Sequence, residues 1–173
     1  MRFACVAIFI STLSLQSHAT LAPRMYSIMA QLNASIYQAT DSAEAQTYNH
    51  KLSFELLYLV RNGPSFGGRY IIETRNENGS NSGQAYGPMV GYYSDNGLYG
   101  TFNYDIFAKL GQWTNGEGFE FGIGYLEHMG NQLHVGAKYS TRKMRYKTDI
   151  TNNLAVNKDV TDYFPSISFM YLF

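Results

Sequence analysis

At 173 residues the chain is long enough for one domain, and no shift of composition marks a second. Lys plus Arg (13) balance Asp plus Glu (13), which removes the electrostatic case for a nucleic-acid partner, and charged residues make up 15% where a soluble domain carries roughly 25%. Aromatics reach 16%, with 15 Tyr and 11 Phe against a single Trp, so something other than charge must keep this surface in its solvent.

At the N-terminus Arg2 precedes the apolar run "FACVAIFISTLSL", then polar residues and "SHA", the small-residue pattern that comes before a signal-peptidase cut after Ala19. That run is too short to span a bilayer as a helix, which takes about 20 residues. Residues 1–19 are therefore expected to be removed, leaving residues 20–173 as the working domain. Cys5, the only cysteine, would leave with them, and with it any disulfide or thiol chemistry.

From Tyr26 onward apolar residues recur at every second position, the period of a strand with one apolar face. The first strand sets Tyr26, Ile28, Ala30, Leu32, Ala34 and Ile36 against Ser27, Met29, Gln31, Asn33, Ser35 and Tyr37. The second sets Leu52, Phe54, Leu56, Tyr58 and Val60 against Lys51, Ser53, Glu55, Leu57, Leu59 and Arg61. A shorter third opposes Tyr70, Ile72 and Thr74 to Arg69, Ile71, Glu73 and Arg75, and a fourth Tyr86, Pro88, Val90 and Tyr92 to Ala85, Gly87, Met89, Gly91 and Tyr93. In the fifth, Gly100, Phe102, Tyr104 and Ile106 oppose Tyr99, Thr101, Asn103, Asp105 and Phe107; in the sixth, Phe119, Phe121, Ile123 and Tyr125 oppose Glu120, Gly122, Gly124 and Leu126. The seventh opposes Leu133, Val135, Ala137 and Tyr139 to His134, Gly136, Lys138, Ser140 and Arg142. The eighth ends the chain as "YFPSISFMYLF", with Tyr163, Pro165, Ile167, Phe169, Tyr171 and Phe173 on one face.

The connections alternate in length. Long ones, "QATDSAEAQT", "NENGSNSGQ", "KLGQWTNGEG" and a stretch from about Met144 to Asp162, follow the odd strands. Short ones, "RNGPS", "SDNG" and "HMGNQ", follow the even strands and hold Asn-Gly, Gly-Pro and Gly-Asn, the chemistry of tight hairpin turns. The pattern is an up-and-down meander with long loops at one end and both termini at the other.

Closed on itself, such a meander makes either a soluble ligand-binding barrel, apolar inside, or a membrane barrel, apolar outside. The second face decides. It is Ser, Gln, Asn, Gly and Thr with a few charges, too small and too poor in Lys and Glu to clothe a sheet in water, yet suited to filling a narrow lumen. The strands match the 9 to 11 or so residues that a spanning strand needs. Tyr26, Tyr92, Tyr125, Tyr163 and Tyr171 near the apolar-face ends fit interfacial aromatic girdles. The expected fold is all-β, an eight-stranded antiparallel up-and-down transmembrane β-barrel.

A signal peptide, eight dyad-repeat strands and a last strand ending in Phe173 resemble the small Gram-negative outer-membrane barrels, of the OmpX kind or the membrane domain of OmpA. The resemblance spans residues 20–173 and rests on architecture, not on a subfamily motif. It implies an integral outer-membrane location after export. It also implies that Phe173, with Tyr171, Phe169, Ile167 and Tyr163 behind it, is the signal read by the barrel-assembly machinery. A monomer is expected.

Nine charged residues should point inward: Lys51, Glu55, Arg69, Glu73, Arg75, Asp105, Glu120, Lys138 and Arg142. Charges in such a lumen must be paired or hydrated, so they read as an ion-pair plug, with a gated narrow pore as the functional counterpart. Catalysis needs a nucleophile and a base. His50 falls on the outward face near the long-loop end, but Leu52 stands where the lipid A deacylase has its Ser in a His-x-Ser pair; His134 points inward and His128 falls in a tight turn. A non-enzymatic protein without metal or cofactor is expected. Arg142, Lys143, Arg145 and Lys147 beside the last long connection are candidate contacts for lipopolysaccharide phosphates, or mark protruding strands that bind another protein. "GQW" at Gly111–Trp113 lies mid-chain, unlike the lipocalin Gly-x-Trp, and "NGS" at Asn78–Ser80 reads as polar loop. Pro88 and Pro165 lie within strands, where the missing donor implies a bulge or a break in pairing. The expected function is structural or surface-interacting, with a narrow conduit for small hydrophobic molecules, or a lipid A-modifying hydrolase, as alternatives.

Overall fold

The structure is a computed structural model that describes residues 26–38, 48–60, 63–76, 81–152 and 154–173. The expected signal peptide, residues 1–19 with Cys5, lies outside the described residues, as do most of the first long connection, Arg61 and the Asn78–Ser80 triplet. Eight strands follow in chain order: β1 (Tyr26–Gln38), β2 (Tyr48–Val60), β3 (Pro64–Arg75), β4 (Asn81–Tyr93), β5 (Leu98–Leu110), β6 (Trp113–Gly130), β7 (Leu133–Asp149) and β8 (Leu154–Leu172). Each pairs antiparallel with the next and β8 returns to β1, so the sheet closes without a crossover. It is an eight-stranded up-and-down barrel.

The period-two pattern places the side chains as read. Along β1, Ser27, Met29, Gln31, Asn33, Ser35 and Tyr37 are buried, while Ile28 and Ile36 are 51% and 63% exposed. Phe54, Leu56, Phe102, Phe121 and Ile167 stand outward, whereas Arg142 and Asp105 are 0% exposed. Polarity is thus inverted relative to a soluble barrel. An apolar wall of this kind is stable only against hydrocarbon, where the backbone must find its hydrogen bonds between strands. Tyr92, Tyr125, Tyr163 and Tyr171 are outward near the belt margins, as aromatic girdles are; the Tyr26 side chain lies outside the described positions.

Two of the expected long loops are strand. β5 runs to Leu110 and β6 starts at Trp113, joined by a turn with Gly111 at φ 55°. The stretch from Met144 to Asp162 is a hairpin: β7 reaches Asp149 and β8 begins at Leu154. Its turn is tied by the Asp149 carboxylate, which accepts from the backbone N–H groups of Thr151 (2.9 Å) and Asn152 (3.3 Å) and from the Asn152 amide (2.9 Å). The alternation continues there as Met144 and Tyr146 inside against Lys143, Arg145 and Lys147 outside, so the outer face is charged and the apolar stripe that marks a membrane strand is missing. β1 to β5 have 12 or 13 residues, whereas β6, β7 and β8 have 18, 17 and 19. The extra length projects as a ribbon beyond the apolar belt.

Near Pro88 the β4–β5 register shifts between Tyr86 and Met89, as the missing donor predicts. The extra residue belongs to β5, whose register against β6 also shifts between Asp105 and Ala108. The inward set there changes from odd to even numbers, so Ala108 and Leu110 are buried and Phe107, expected inward, instead stacks on the outward Tyr86 with ring centroids 5.3 Å apart. Tight turns close the other end; Gly97 at φ 86° bonds back to the Ser94 carbonyl at 3.0 Å, a conformation L side chains rarely adopt. His128, expected in such a turn, belongs to β6, and the turn follows at Asn131 and Gln132.

Candidate functional site: a closed lumen and an outer ribbon

The lumen is built in three layers. At the tight-turn end an apolar layer gathers Met29, Leu57, Leu59, Met89, Tyr93, Tyr99, Leu126 and Met170, with Tyr93 and Tyr99 stacked at 4.9 Å. Toward the ribbon a second apolar layer gathers Ile71, Ala85, Ala108, Leu110, Met144 and Tyr146, with Trp113 and Val160 against it. Between them lies the polar layer. Tyr93 donates to the Gln31 side-chain oxygen (2.9 Å), Gln31 donates to Asn33 (2.8 Å), and Ser168 donates to the same Asn33 oxygen (2.6 Å).

All nine charges expected inside are buried in this layer. Lys138 bonds Glu55 at 2.9 Å and lies 3.8 Å from Glu120; Glu120 also takes Lys51 and Arg69, each at 2.6 Å. Arg69 reaches Asp105 at 2.9 Å, and Arg142 joins Asp105 (3.2 Å) to Glu73 (3.1 Å). Arg75 contacts Glu73 at 3.4 Å and is paired with Asp162. The chain of contacts thus runs unbroken from Glu55 to Asp162. Asp162 makes the anions as numerous as the cations, and sequence reading missed it because it fell in the supposed loop. The signal was present: it shares parity with the inward Phe164, Ser166 and Ser168, and the register sets it opposite Arg142.

Such a network stays charged in a low-dielectric site only because each member meets an opposite charge; removing one leaves its partner stranded. The void within the layer, beside Lys51, Glu120 and Lys138, measures about 10 Å³, room for about one water. Arginine forks bridging two carboxylates fix the relative positions of β3, β5 and β7 across the lumen.

The outer cations divide by parity. Arg142 is expected both in the plug and among the lipopolysaccharide contacts; even positions on this part of β7 face inward, which places it in the lumen, 0% exposed. Lys143, Arg145 and Lys147 face out. Arg145 bonds Asp159 at 2.8 Å and Lys147 meets Glu117 at 2.6 Å, all about half exposed. The guanidinium holds the Asp159 carboxyl below the usual carboxylate range, and Asp159 in turn raises Arg145. Asp149 is likewise held low by the Asn152 amide and the turn N–H groups.

On β8 the outward face carries Tyr163, Ile167, Phe169 and Tyr171, and Phe173 is 68% exposed with its ring edge-on to Tyr171 at 4.9 Å. The Phe173 N–H donates to the Ile28 carbonyl at 2.9 Å, which holds the terminus against β1. His50 is exposed on β2, opposite Ile36 and Thr74 in the register. His134 is buried at the tight-turn end, its ring 4.9 Å from that of His128 and its Nδ1 3.3 Å from the Gln132 carbonyl. Among the described residues no three His, Cys, Asp or Glu side chains gather as metal ligands would.

Apolar outside, charge-paired inside and closed into a ring by β8 on β1, the chain is a transmembrane barrel of the small eight-stranded class, the architecture of the outer-membrane barrels that its sequence resembles. No protein-family model and no curated protein matches it. Among solved structures it is similar to the outer membrane protein AlkL, determined by solid-state NMR in DMPC lipid bilayers, with 11% identity, 92% of this chain and 94% of that chain covered, and a TM-score of 0.48. A likeness at that level carries no inference about function.

Proposed function

We propose that this is an integral outer-membrane protein with a structural or surface-interaction role and no catalytic activity: its belt meets lipid, its lumen is a plug, and its ribbon meets the outer surface. The observation that supports this most is the layered lumen, in which a neutralised charge network is capped by apolar side chains at both ends. Lys143, Arg145 and Lys147 stand just beyond the belt, at the height where lipopolysaccharide phosphates would meet cations. The terminal Phe173 strand would be read by the barrel-assembly machinery during insertion. In favour of a non-enzymatic role, the cross-strand neighbours of His50 are Ile36 and Thr74, which supply no carboxylate to orient an imidazole base.

The test is gel mobility in SDS before and after boiling of protein extracted from outer membranes, followed by conductance in planar bilayers. A mobility shift without channel steps is expected. Soluble periplasmic protein with no shift would overturn the membrane reading, and steady conductance the plug. An altered lipid A mass spectrum in cells expressing the protein, lost with His50→Ala, would favour a hydrolase instead.

A further inference from the structure

The closing seam of the barrel is incomplete. β1 pairs with β2 from Tyr26 to Gln38, but with β8 only from Met29 to Ala34, opposite Leu172 to Ile167. The cause is Pro165. Because the Phe173 N–H bonds Ile28 and the Leu172 N–H bonds Gln132 on the β7 side, odd residues of β8 aim their backbone groups at β1. Continuing the register, the next donor toward β1 after Ile167 would be residue 165, facing Ile36, and a proline has none. The ladder stops there, although both strands run on.

A cleft of about 690 Å³ opens at this place. Its outer walls are mostly apolar, with Ile36, Leu52, Ile72 and Ile167 beside His50 and Thr74, while Ser35, Lys51 and Ser166 line it from within. The same three residues border the small polar void inside, so the cleft leads from the lipid-facing wall to the rim of the charge network. Lys51 sits at that rim, with Glu120 at 2.6 Å and the Phe164 ring beneath its ammonium at 3.9 Å. An ammonium has three donors, and Glu120 takes one.

We propose that this seam binds a single-chain amphiphile with an anionic oxygen head, a long-chain carboxylate, its head between the Ser35 and Ser166 hydroxyls and accepting from the Lys51 ammonium, its chain along Ile36, Leu52 and Ile167. The site rests on the transmembrane reading of the barrel and adds a ligand to it. A phospholipid phosphate shares the head chemistry, and the experiment separates the two sources.

The experiment uses the full barrel in phosphatidylcholine nanodiscs and spin-labelled stearate, followed as the motionally restricted fraction in electron spin resonance. Restricted stearate well above equally labelled phosphatidylcholine and phosphatidic acid is expected. Pro165→Val, which supplies the missing N–H and lets the ladder close, should abolish the excess while keeping the SDS mobility shift of a folded barrel. Lys51→Met should weaken it about tenfold, the worth of one charge-assisted hydrogen bond. Equal restriction of stearate and phosphatidylcholine, undiminished binding by folded Pro165→Val, or equal binding of the stearate methyl ester would overturn the site. Greater restriction of phosphatidic acid would assign it to a phospholipid instead. Loss of the mobility shift in the unmodified protein would instead count against the barrel reading.

Discussion

Arg142 and Arg145 lie on the same strand, each against an aspartate, and they belong to different worlds. Arg142 is wholly buried and spans Asp105 at 3.2 Å and Glu73 at 3.1 Å. Arg145 meets Asp159 at the shorter distance of 2.8 Å, with about half of each side chain in solvent. Distance alone would rank the outer pair first. Environment reverses the order, because water screens an exposed pair to little net effect, while a buried charge cannot lose its partner without standing unpaired in a poor dielectric. The lumen therefore holds the barrel together, and the ribbon is free to face outward.

The largest effect should come from Arg142→Ala, which takes one of two cations from each of Asp105 and Glu73 and leaves the buried network one positive charge short. A loss of about 3–5 kcal/mol is expected in urea unfolding from lipid vesicles, read by circular dichroism. If that variant unfolds with the midpoint of the parent, the network does not hold the fold. Next, Lys138→Met should destabilise by about 3 kcal/mol through orphaned Glu55, and adding Glu55→Leu should restore most of it, since an apolar pair fills the same space without desolvation. A double variant no better than the single one would break the pairing account.

Gly87→Val should cost about 1–3 kcal/mol, because a Cβ there runs into the Tyr104 carbonyl at the β5 bulge. The smallest effect belongs to Arg145→Ala, which should leave the unfolding midpoint unmoved. The pH response sharpens the contrast. Asp159 and Asp149 have depressed folded values, so their contribution to the hairpin is complete above the ordinary Asp value of about 3.9 and disappears as pH falls through the lower folded value. Amide exchange near Asp149–Asn152 should therefore stay slow at pH 5 or so and quicken only below about pH 4, and in Arg145→Ala exchange at Asp159 should quicken at a higher pH than in the parent.

Period two in the sequence determined the class of fold, the face each strand presents and nine members of the lumen network, because a strand's side-chain parity is local and a membrane demands that it be kept. Phe107 shows where parity ends: the β5 bulge that turns it outward depends on how β4 and β6 register against β5, which no single strand encodes. Asp162 shows the other limit. Beyond the belt the outer face need not be apolar, so the alternation loses its contrast and a strand there has the sequence of a loop. Only the closed barrel decided which charges meet, since Glu55 reaches Lys138 and Arg75 reaches Asp162 across the lumen. Only closure, too, showed that Pro165 faces β1 rather than β7 and leaves the seam open.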